Sequence, residues 1–373
     1  MLHDIAVCRT AVLGGHVDVC LKCGYEHPVF CSCRNRHCPN CQSLTQARWI
    51  IGRMARLLPV GYFHVVFTVP DDHIAGLALR NRELFFNAMF AAGSQTLLTL
   101  GDDKERLGAQ LGLTAALHTW TRDLRFHPHL HCIVTGGGLT RDGLSWKATR
   151  QNFLFPVRVL SALFRGKLMA ALDKAYRDGR LKLDGVPGFD DDTQRDVVWK
   201  RLKRKLYRTK WVSYAKPPFA GPAAVYKYLG RYTHRVGISN HRLISLTDDA
   251  VTFRTRGDDT AKLRPTEFIR RFLLHVLPRG FVKLRHYGLL APGNVNTKLV
   301  TARYLLETTP AKESSPAEVP ASTKDTEADK PADWRDLLLQ LTGIDVTRCP
   351  TCGGVLHARP LDRAPPRAKD DTS

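Results

Sequence analysis

The 373-residue chain lacks any apolar run close to the roughly 18 residues that a membrane-spanning helix needs. Its start, MLHDIAVCRT, contains an acid at Asp4 and no apolar stretch of the kind found in secretory signals. We therefore predict a cytoplasmic protein without membrane association. Disulfide bonds are rare in that reducing compartment, so the ten cysteines are expected to be reduced or bound to metal.

Acidic residues are scarce relative to basic ones. The chain has 35 Asp and Glu against 56 Lys and Arg, a formal net charge of +21. Because such self-repulsion is costly unless a polyanion relieves it, nucleic acid is the leading candidate partner, and an alkaline surface without a ligand is the alternative. The basic run KRLKRKLYRTK (200–210) is predicted to follow a phosphate backbone. The contacts predicted in it are Lys200, Arg201, Lys203, Arg204 and Lys205.

The composition changes along the chain and predicts two or three folding units. A cysteine-rich segment at 1–50 precedes a body, 60–300, in which short β-branched runs alternate with helical periodicity, which is typical of an α+β protein. We predict a strand over 61–70, a helix from Asn81 to Leu100, and two further strands joined by RDLRFHP. Residues 307–333 are predicted to be a disordered linker, and 334–373 a short helix with a CxxC tail.

Seven of the ten cysteines lie in the first 41 residues and include two CxxC motifs. Each motif can place two thiolates about 2.3 Å from one tetrahedral zinc ion. We predict that the two motifs share one structural zinc, because so short a segment buries too little surface to fold alone. The alternative is a small core packed with unmetallated cysteines. The ligands predicted for this zinc are Cys20, Cys23, Cys38 and Cys41.

A second zinc site is predicted from the remaining ligands of the same segment. Its members are Cys8, His16, Cys33 and His37, with Cys31 and His27 left over. The tail carries a third CxxC motif, Cys349 and Cys352, whose two thiols are only half of a zinc site. His357 would supply a third ligand there. The sequence alone does not complete this site.

A histidine pair stands in the predicted strand HPHLHCIVT. His129 and His131 are two residues apart, so on a strand both imidazoles project from one face and can bind one cation. His118, eleven residues upstream, would complete a set of three if the two strands form a hairpin. His127 has the same parity, but Pro128 suggests that the strand only begins there. The alternative is a pair of histidines satisfied by backbone hydrogen bonds.

Two tyrosines lie four residues apart in YLGRYTHR (228–235). On a helix, Tyr228 and Tyr232 would project from one face, whereas Tyr226 lies about 200° away around the axis. Aromatic residues at this spacing usually pack in a core, but here the flanking residues Arg231 and Arg235 are basic. A phenol among cations has a stabilised phenolate and is a better nucleophile towards phosphate. We also predict that these two arginines contact nucleic acid.

These motifs together resemble the rolling-circle insertion-sequence transposases. The resemblance covers roughly residues 5–295 in the family's order. Besides the N-terminal CxxC motifs, it is carried by FHVVFTVP (63–70), HTWTRDLRFHPHLHCIVTGGGL (118–139), YLGRYTHRVGISNHRL (228–243) and FIRRFLLHVLPRGFVKLRHYGLLAPG (268–293). It implies a zinc-binding domain at 1–50 and an HUH (His-hydrophobic-His) nuclease domain at 60–300. The implied nuclease core is a ferredoxin-like antiparallel sheet with the histidines on a central strand and the tyrosines on a facing helix.

The resemblance also implies a mechanism. His118, His129 and His131 would hold one divalent ion, Mg²⁺ or Mn²⁺; relaxases, more distant relatives, place a third histidine at the same offset as His118. An all-imidazole set suits Mn²⁺ better. Tyr228 or Tyr232 would attack single-stranded DNA at the ends of a mobile element, leaving a 5′-phosphotyrosine and a free 3′-OH. The second tyrosine would then cut another strand, which allows strand transfer without ATP.

Two other functions fit part of the pattern. A zinc-dependent DNA-binding protein without nuclease activity would keep the charge and the CxxC motifs but need neither tyrosine. Family members begin with a further basic helical segment, whereas this chain starts almost at its first cysteine, so a truncated copy is one form of this alternative. A metal-dependent hydrolase of a smaller substrate would use the histidine pair but leave the paired tyrosines unexplained.

Overall fold

The computed structural model describes residues 1–216, 237–308 and 333–361. Its α-helices are α1 (Leu2–Ala6), α2 (Ser43–Met54), α3 (Asp71–Arg80), α4 (Arg82–Asp102), α5 (Val157–Arg177), α6 (Arg195–Arg208), α7 (Pro265–Leu274), α8 (Lys298–Thr308) and α9 (Trp334–Thr342). Its strands are β1 (Gly15–Cys20), β2 (Glu26–Phe30), β3 (Tyr62–Thr68), β4 (Gln110–Trp120), β5 (Phe126–Leu139), β6 (Trp146–Ala148), β7 (Ser213–Lys216), β8 (Leu243–Leu246), β9 (Val251–Arg254), β10 (Thr260–Leu263), β11 (Leu284–Gly288) and β12 (Leu356–Leu361). None of these helices is both long and apolar enough to cross a membrane.

The described residues form two units. The cysteine unit comprises 1–51, 237–242 and 333–361, and the sheet unit comprises 52–216 and 243–308. The tail that the sequence predicted as a separate segment therefore lies, over its described part, in the same unit as the N-terminal residues. The reason is β-pairing, because β12 runs antiparallel to β1 over six residue pairs.

The cysteine unit has a small antiparallel sheet with the strand order β12-β1-β2. Among its described residues, the buried apolar side chains other than cysteine are Val17, Ala47, Ile238 and Leu337. So few apolar groups release little free energy on burial, and small units of this kind are generally stabilised by a metal ion or disulfides. The fold of this unit therefore depends on its cysteines.

The sheet unit is built on an antiparallel sheet with the order β11-β4-β5-β3-β7, to which β6 adds beside β5. In chain order, β3, helices α3 and α4, β4, β5, helices α5 and α6, and β7 form a βαββαβ succession. The corresponding spatial order, β4-β5-β3-β7, is that of the ferredoxin-like split βαβ arrangement. The α+β class and the ferredoxin-like antiparallel core predicted above are thereby confirmed.

One face of this sheet forms the main core. Alternate residues of β3, β4 and β5 pack there with the buried helices α4 and α5, and the rings of Phe67 and Phe164 stack at 4.7 Å. Helix α4 has many apolar residues around its whole circumference, as expected for a helix that is buried on most sides. It approaches the sheet closely at Gly93, where a Cβ atom would lie 3.0 Å from Leu130 Cδ1. The helix predicted from Asn81 to Leu100 is this α4.

The opposite face carries the histidines, because side chains alternate between the two faces of a strand. His118 is directly opposite His129, and His131 lies between Ala116 on β4 and Val66 on β3. Both long strands are buried along most of their length. The hairpin expected from the two predicted strands therefore exists, with the histidine positions in register.

A second antiparallel sheet of the sheet unit has the order β10-β9-β8 and lies against helix α7. Phe253 of β9 and Phe268 of α7 meet edge to face with ring centroids 5.6 Å apart. Arg122, in the turn between β4 and β5, donates a hydrogen bond to the Thr255 carbonyl at 3.0 Å. This small sheet is thereby linked to the histidine hairpin.

Candidate active site and metal centres

The β4–β5 hairpin brings three histidines together. One ring nitrogen from each of His118, His129 and His131 lies within 4.8 Å of the others. The ring centroids are 5.3 Å apart for His118 and His129, and 4.2 Å apart for His118 and His131. His118 and His131 are buried, and His129 is half-buried. The structure thus brings the three predicted ligands of the catalytic ion into one cluster.

The protonation of these rings suits metal binding. His129 Nδ1 lies 2.7 Å from the His127 carbonyl oxygen, and because a carbonyl only accepts, the Nδ1 proton is donated there and Nε2 keeps its lone pair. Burial lowers the pKa of His129 to about 4 and lowers the pKa values of His118 and His131 well below the usual range, helped by the neighbouring histidines. All three are therefore neutral at neutral pH, which is the form that coordinates a cation.

A fourth histidine supports this cluster. His64 of β3 is buried, and its Nε2 lies 2.8 Å from His131 Nδ1, with the two rings stacked at 5.0 Å. When His131 offers Nε2 to an ion, its proton is on Nδ1 and is donated to His64 Nε2. Burial lowers the pKa of His64 to about 4, so it stays neutral and able to accept. Sequence reasoning missed His64 because its role requires the β3–β5 register.

His127 has a different partner. It lies within β5, which begins at Phe126, so the strand starts one residue earlier than Pro128 suggested. Its Nδ1 is 2.8 Å from an Asp71 carboxylate oxygen at the start of α3. The ring remains 5.1 Å from that of His129 but does not join the group of three. His127 therefore contributes its backbone carbonyl, rather than its ring, to the arrangement of the site.

Four cysteines of the first 41 residues form one cluster with their sulfur atoms within 4.8 Å of one another. The members of this cluster are Cys8, Cys33, Cys38 and Cys41. Cys33 Sγ and Cys41 Sγ are 3.8 Å apart, close to the roughly 3.8 Å that a tetrahedral zinc with Zn–S bonds of about 2.3 Å imposes. The Cys33 N–H also donates to Cys8 Sγ at 3.5 Å, as is common for zinc-bound thiolates. We call this cluster 1.

A second cluster of four sulfurs differs from the grouping predicted above. It consists of Cys20, Cys23, Cys349 and Cys352, and we call it cluster 2. The two N-terminal CxxC motifs thus belong to different clusters and do not share one site. The reason is that β12 pairs with the end of β1, with Leu356 opposite Cys20, so the tail motif is delivered beside the first motif.

The two histidines predicted as zinc ligands, and the two residues left as possible further ligands, have other neighbours. His16 Nε2 is 3.2 Å from Asp18 Oδ1, and His37 Nδ1 is 3.2 Å from Asn35 Oδ1. Cys31 is exposed, and His357 lies opposite Val19 in the β1–β12 pair. None of these side chains belongs to either four-cysteine group found among the described residues. The predicted set of Cys8, His16, Cys33 and His37 is therefore replaced by four thiols.

Comparison with known proteins identifies the chain. Residues 112–298 match a family model described as "Putative transposase", and residues 1–69 match "Transposase zinc-binding domain" of the IS91 type. "Putative transposase y4qJ" of Sinorhizobium fredii is 44% identical over 382 aligned residues, spanning 99% of this chain and 92% of that protein. The chain belongs to the IS91 family of transposases.

A second similar protein is the transposase for insertion sequence element IS801 of Pseudomonas savastanoi pv. phaseolicola. It is 28% identical over 292 residues, which are 76% of this chain and 68% of that protein. Among solved structures, the conjugative relaxase TrwC in complex with oriT DNA matches 65% of this chain and 71% of its own, at 15% identity and a TM-score of 0.25.

The two tyrosines predicted as nucleophiles, Tyr228 and Tyr232, lie outside the described residues of this transposase-family chain, as do Arg231 and Arg235. The segment that contains them begins directly after β7. Lys216, the last residue of β7, is opposite His64 in the sheet. The segment with the tyrosines therefore follows β7, which pairs with β3, the strand that carries His64.

Most of the predicted basic run, residues 200–208, lies in helix α6. The helix buries Val198, Trp199, Leu202 and Leu206 along one face and exposes cations on the other. Lys203 Nζ is 2.8 Å from an Asp173 carboxylate oxygen, and Arg201 donates to the Pro187 carbonyl at 2.8 Å. Two of the five predicted contacts therefore have partners within the protein. The other three, Lys200, Arg204 and Lys205, are exposed.

Proposed function

We propose that the chain is the transposase of a rolling-circle insertion sequence and cuts single-stranded DNA through a 5′-phosphotyrosine. The observation that carries the proposal is the convergence of His118, His129 and His131 within 4.8 Å, in a chain of the IS91 family. Three imidazoles on one sheet face, opposite the face packed by α4 and α5, form a cation site that a purely DNA-binding protein does not need.

The donor set fits a divalent ion with open coordination positions. Three neutral imidazoles supply three ligands and leave further positions for water and a phosphate oxygen. When bound, the ion would polarise the scissile phosphate and offset the charge that builds up at phosphorus. We propose Mg²⁺ or Mn²⁺, of which imidazole ligands favour Mn²⁺. His127 and His64 keep the rings of His129 and His131 in place through the hydrogen bonds described above.

The nucleophiles proposed are Tyr228 and Tyr232. Tyr228 is twelve positions after Lys216, and a chain of that length can span up to about 40 Å, which is long enough to reach the histidine cluster. In the proposed step, the phenol oxygen attacks phosphorus and forms a P–O bond while the bond to the 3′ oxygen breaks. The phenol loses its proton and the 3′ oxygen gains one, which leaves a free 3′-OH. The second tyrosine would cut another strand while the first remains occupied.

Adduct formation tests this proposal. Protein is incubated with Mn²⁺ and labelled single-stranded oligonucleotides from the ends of the element, and an SDS-resistant protein–DNA species is sought. The Tyr228→Phe/Tyr232→Phe variant is expected to form none, whereas Tyr226→Phe, a matched phenol in the same segment, keeps the wild-type yield. Absence of an adduct with intact protein on all end sequences would instead support a zinc-dependent DNA-binding protein without nuclease activity.

We propose that exposed cations of α6 contact the DNA backbone. Lys200 and Arg204 are four residues apart and so lie on one side of the helix, and Lys205 adjoins them. Tyr207, 44% exposed on the same helix, has the Arg165 guanidinium over its ring, 5.4 Å from the ring centroid, and adds an aromatic group to this basic surface. A cationic strip with an aromatic ring is the usual surface for single-stranded nucleic acid, and it accounts for part of the +21 charge.

Salt dependence measures this contact. Replacing Lys200, Arg204 and Lys205 by glutamine is expected to lower affinity for single-stranded DNA and to reduce the slope of log K against log salt by about 2, since each phosphate contact contributes about 0.7. Fluorescence anisotropy titrations between low and moderate salt give both slopes. The charge-preserving variant Lys200→Arg/Arg204→Lys/Lys205→Arg should keep the wild-type slope. Equal slopes for the glutamine variant and the wild type would mean that these three residues do not contact the DNA backbone.

A further inference from the structure

The CxxC motif of the tail meets the first CxxC motif of the chain. Cys20 Sγ is 3.5 Å from Cys352 Sγ, and Cys23 Sγ is 3.6 Å from Cys349 Sγ. These separations are far from the roughly 2.05 Å of a disulfide and close to the roughly 3.8 Å between sulfurs around a tetrahedral zinc. All four cysteines are free. The distances of cluster 2 are therefore those of a metal site.

The backbone of both motifs has the same conformation. In the first motif, the N–H of Gly24 donates to the Cys20 carbonyl at 2.9 Å. In the tail motif, the N–H of Gly353 donates to the Cys349 carbonyl at 2.9 Å. Both glycines are in the left-handed region, with φ of 73° and 69°. The N–H of each first cysteine donates to the carbonyl five residues further on, at 2.8 and 2.7 Å. Two turns of the same conformation thus each contribute two thiols to cluster 2, whose four sulfur atoms lie within 4.8 Å of one another.

Apolar packing alone holds the tail weakly. Of residues 333–340 and 342–361, whose side chains the structure describes, only Leu337 and Cys349 are buried, and the middle of β12 is exposed. The pairing of β12 with β1 supplies backbone hydrogen bonds. Those bonds exchange for bonds with water, so each contributes little net stability. A further interaction is needed to keep the tail on the N-terminal residues.

We infer that Cys20, Cys23, Cys349 and Cys352 bind a structural zinc ion that fastens the C-terminal tail to the N-terminal residues. Half of its ligands lie outside residues 1–69, which match the transposase zinc-binding domain. The ion closes a loop of chain between Cys23 and Cys349 that contains the whole sequence of the sheet unit. The tail is then part of the zinc-binding unit, and its loss removes a zinc site rather than a dispensable extension.

Zinc stoichiometry of the full-length protein tests this inference. Metal analysis by mass spectrometry is expected to give two zinc ions per chain for the wild type and one for Cys349→Ser/Cys352→Ser. Cys31→Ser, which removes an exposed cysteine outside both clusters, should keep two. A chain that ends at residue 332 should also bind one. Two zinc ions per chain in the folded tail variants would overturn the inference. It would also be overturned if the wild type bound one zinc ion and its Cys349 and Cys352 were alkylated as fast as Cys31.

A reciprocal comparison shows whether both motifs serve the same ion. Cys20→Ser/Cys23→Ser, Cys349→Ser/Cys352→Ser and the fourfold variant are each expected to bind one zinc, because either pair is insufficient alone. With Co²⁺ in place of zinc, the thiolate charge-transfer absorption should fall to about half of the wild-type value in all three, since one of two four-sulfur sites remains. A further loss of metal in the fourfold variant would mean that the motifs bind separate ions, contrary to the inference.

Discussion

Replacing His129 and His131 by alanine is expected to abolish the protein–DNA adduct and to slow strand cleavage by about 10³-fold or more. A cation at a transferring phosphate stabilises the transition state by several kcal/mol, and about 1.4 kcal/mol corresponds to a factor of ten in rate. The variant should also lose the binding of Mn²⁺ measured by calorimetry, since only one of three converging imidazoles remains. Zinc content should not change, because both cysteine clusters belong to the other unit.

Further variants distinguish the loss of the bound ion from a general loss of folded structure. His64→Leu removes the partner of His131 Nδ1 and should weaken Mn²⁺ binding by about 10- to 100-fold, the usual effect of losing a group that supports a metal ligand. His73→Ala, on α3 and outside the cluster, should leave affinity and cleavage unchanged. If the His129→Ala/His131→Ala variant is folded by circular dichroism and still cleaves at the wild-type rate, the ion of the reaction is not held by these rings.

Removing cluster 1 is expected to unfold the cysteine unit. Cys8→Ser/Cys41→Ser eliminates two of four thiolates, and structural zinc in small modules contributes about 10–16 kcal/mol of apparent binding free energy. Among the described residues of this unit, the four buried apolar side chains besides cysteine include an alanine and contribute at most about 1.5–3 kcal/mol each, so their sum reaches only the lower end of that range. Limited proteolysis should therefore cut within residues 1–51 in the variant and not in the wild type. The sheet unit should survive, since it has its own large core.

Matched cysteine variants control for this result. Cys31→Ser should resist protease as the wild type does, because Cys31 is exposed and belongs to neither cluster. Chelation of zinc from the wild type should reproduce the cleavage pattern of Cys8→Ser/Cys41→Ser. A variant that loses one zinc but remains as resistant as the wild type would show that apolar packing alone maintains this unit.

Much of the sheet unit follows from local sequence pattern. The β-branched run at 61–70 predicts β3, and helical periodicity from Asn81 to Leu100 predicts α4, which continues to Asp102. The sequence pattern also predicts short strands over 243–246, 250–256 and 282–287, which correspond to β8, β9 and β11, but it does not predict β1, β2, β6, β7, β10 or β12. Their residues have little periodicity of their own, and β-pairing with distant strands stabilises them instead. Local preference thus determines the long buried elements better than these short strands.

The part of the candidate active site that depends on the alternation of side chains along a strand could be predicted from the sequence. His129 and His131 share a face because they are two residues apart, and His118 joins them because the hairpin aligns it with His129. His64 could not be found in this way. Its approach to His131 requires β3 to pair with β5 in one particular register, which no spacing within the sequence specifies. The roles of Tyr228 and Tyr232 remain predictions from spacing, charge and family resemblance.

The amino-acid sequence alone was sufficient to predict the α+β class, the three clustered histidines and the zinc-binding character of the N-terminal cysteines, and its excess of basic residues is the ground for proposing a polyanionic partner. Spacing, periodicity and composition are local properties, and these conclusions need nothing else. The grouping of the cysteines, in contrast, depends on how distant strands pair. Cys20 and Cys352 are 332 residues apart, and their sulfurs meet because β12 pairs with β1. The sequence analysis grouped the two CxxC motifs that are nearest in sequence, at 20–23 and 38–41. The structure places them in different clusters, because strand pairing brings ligands from both ends of the chain together.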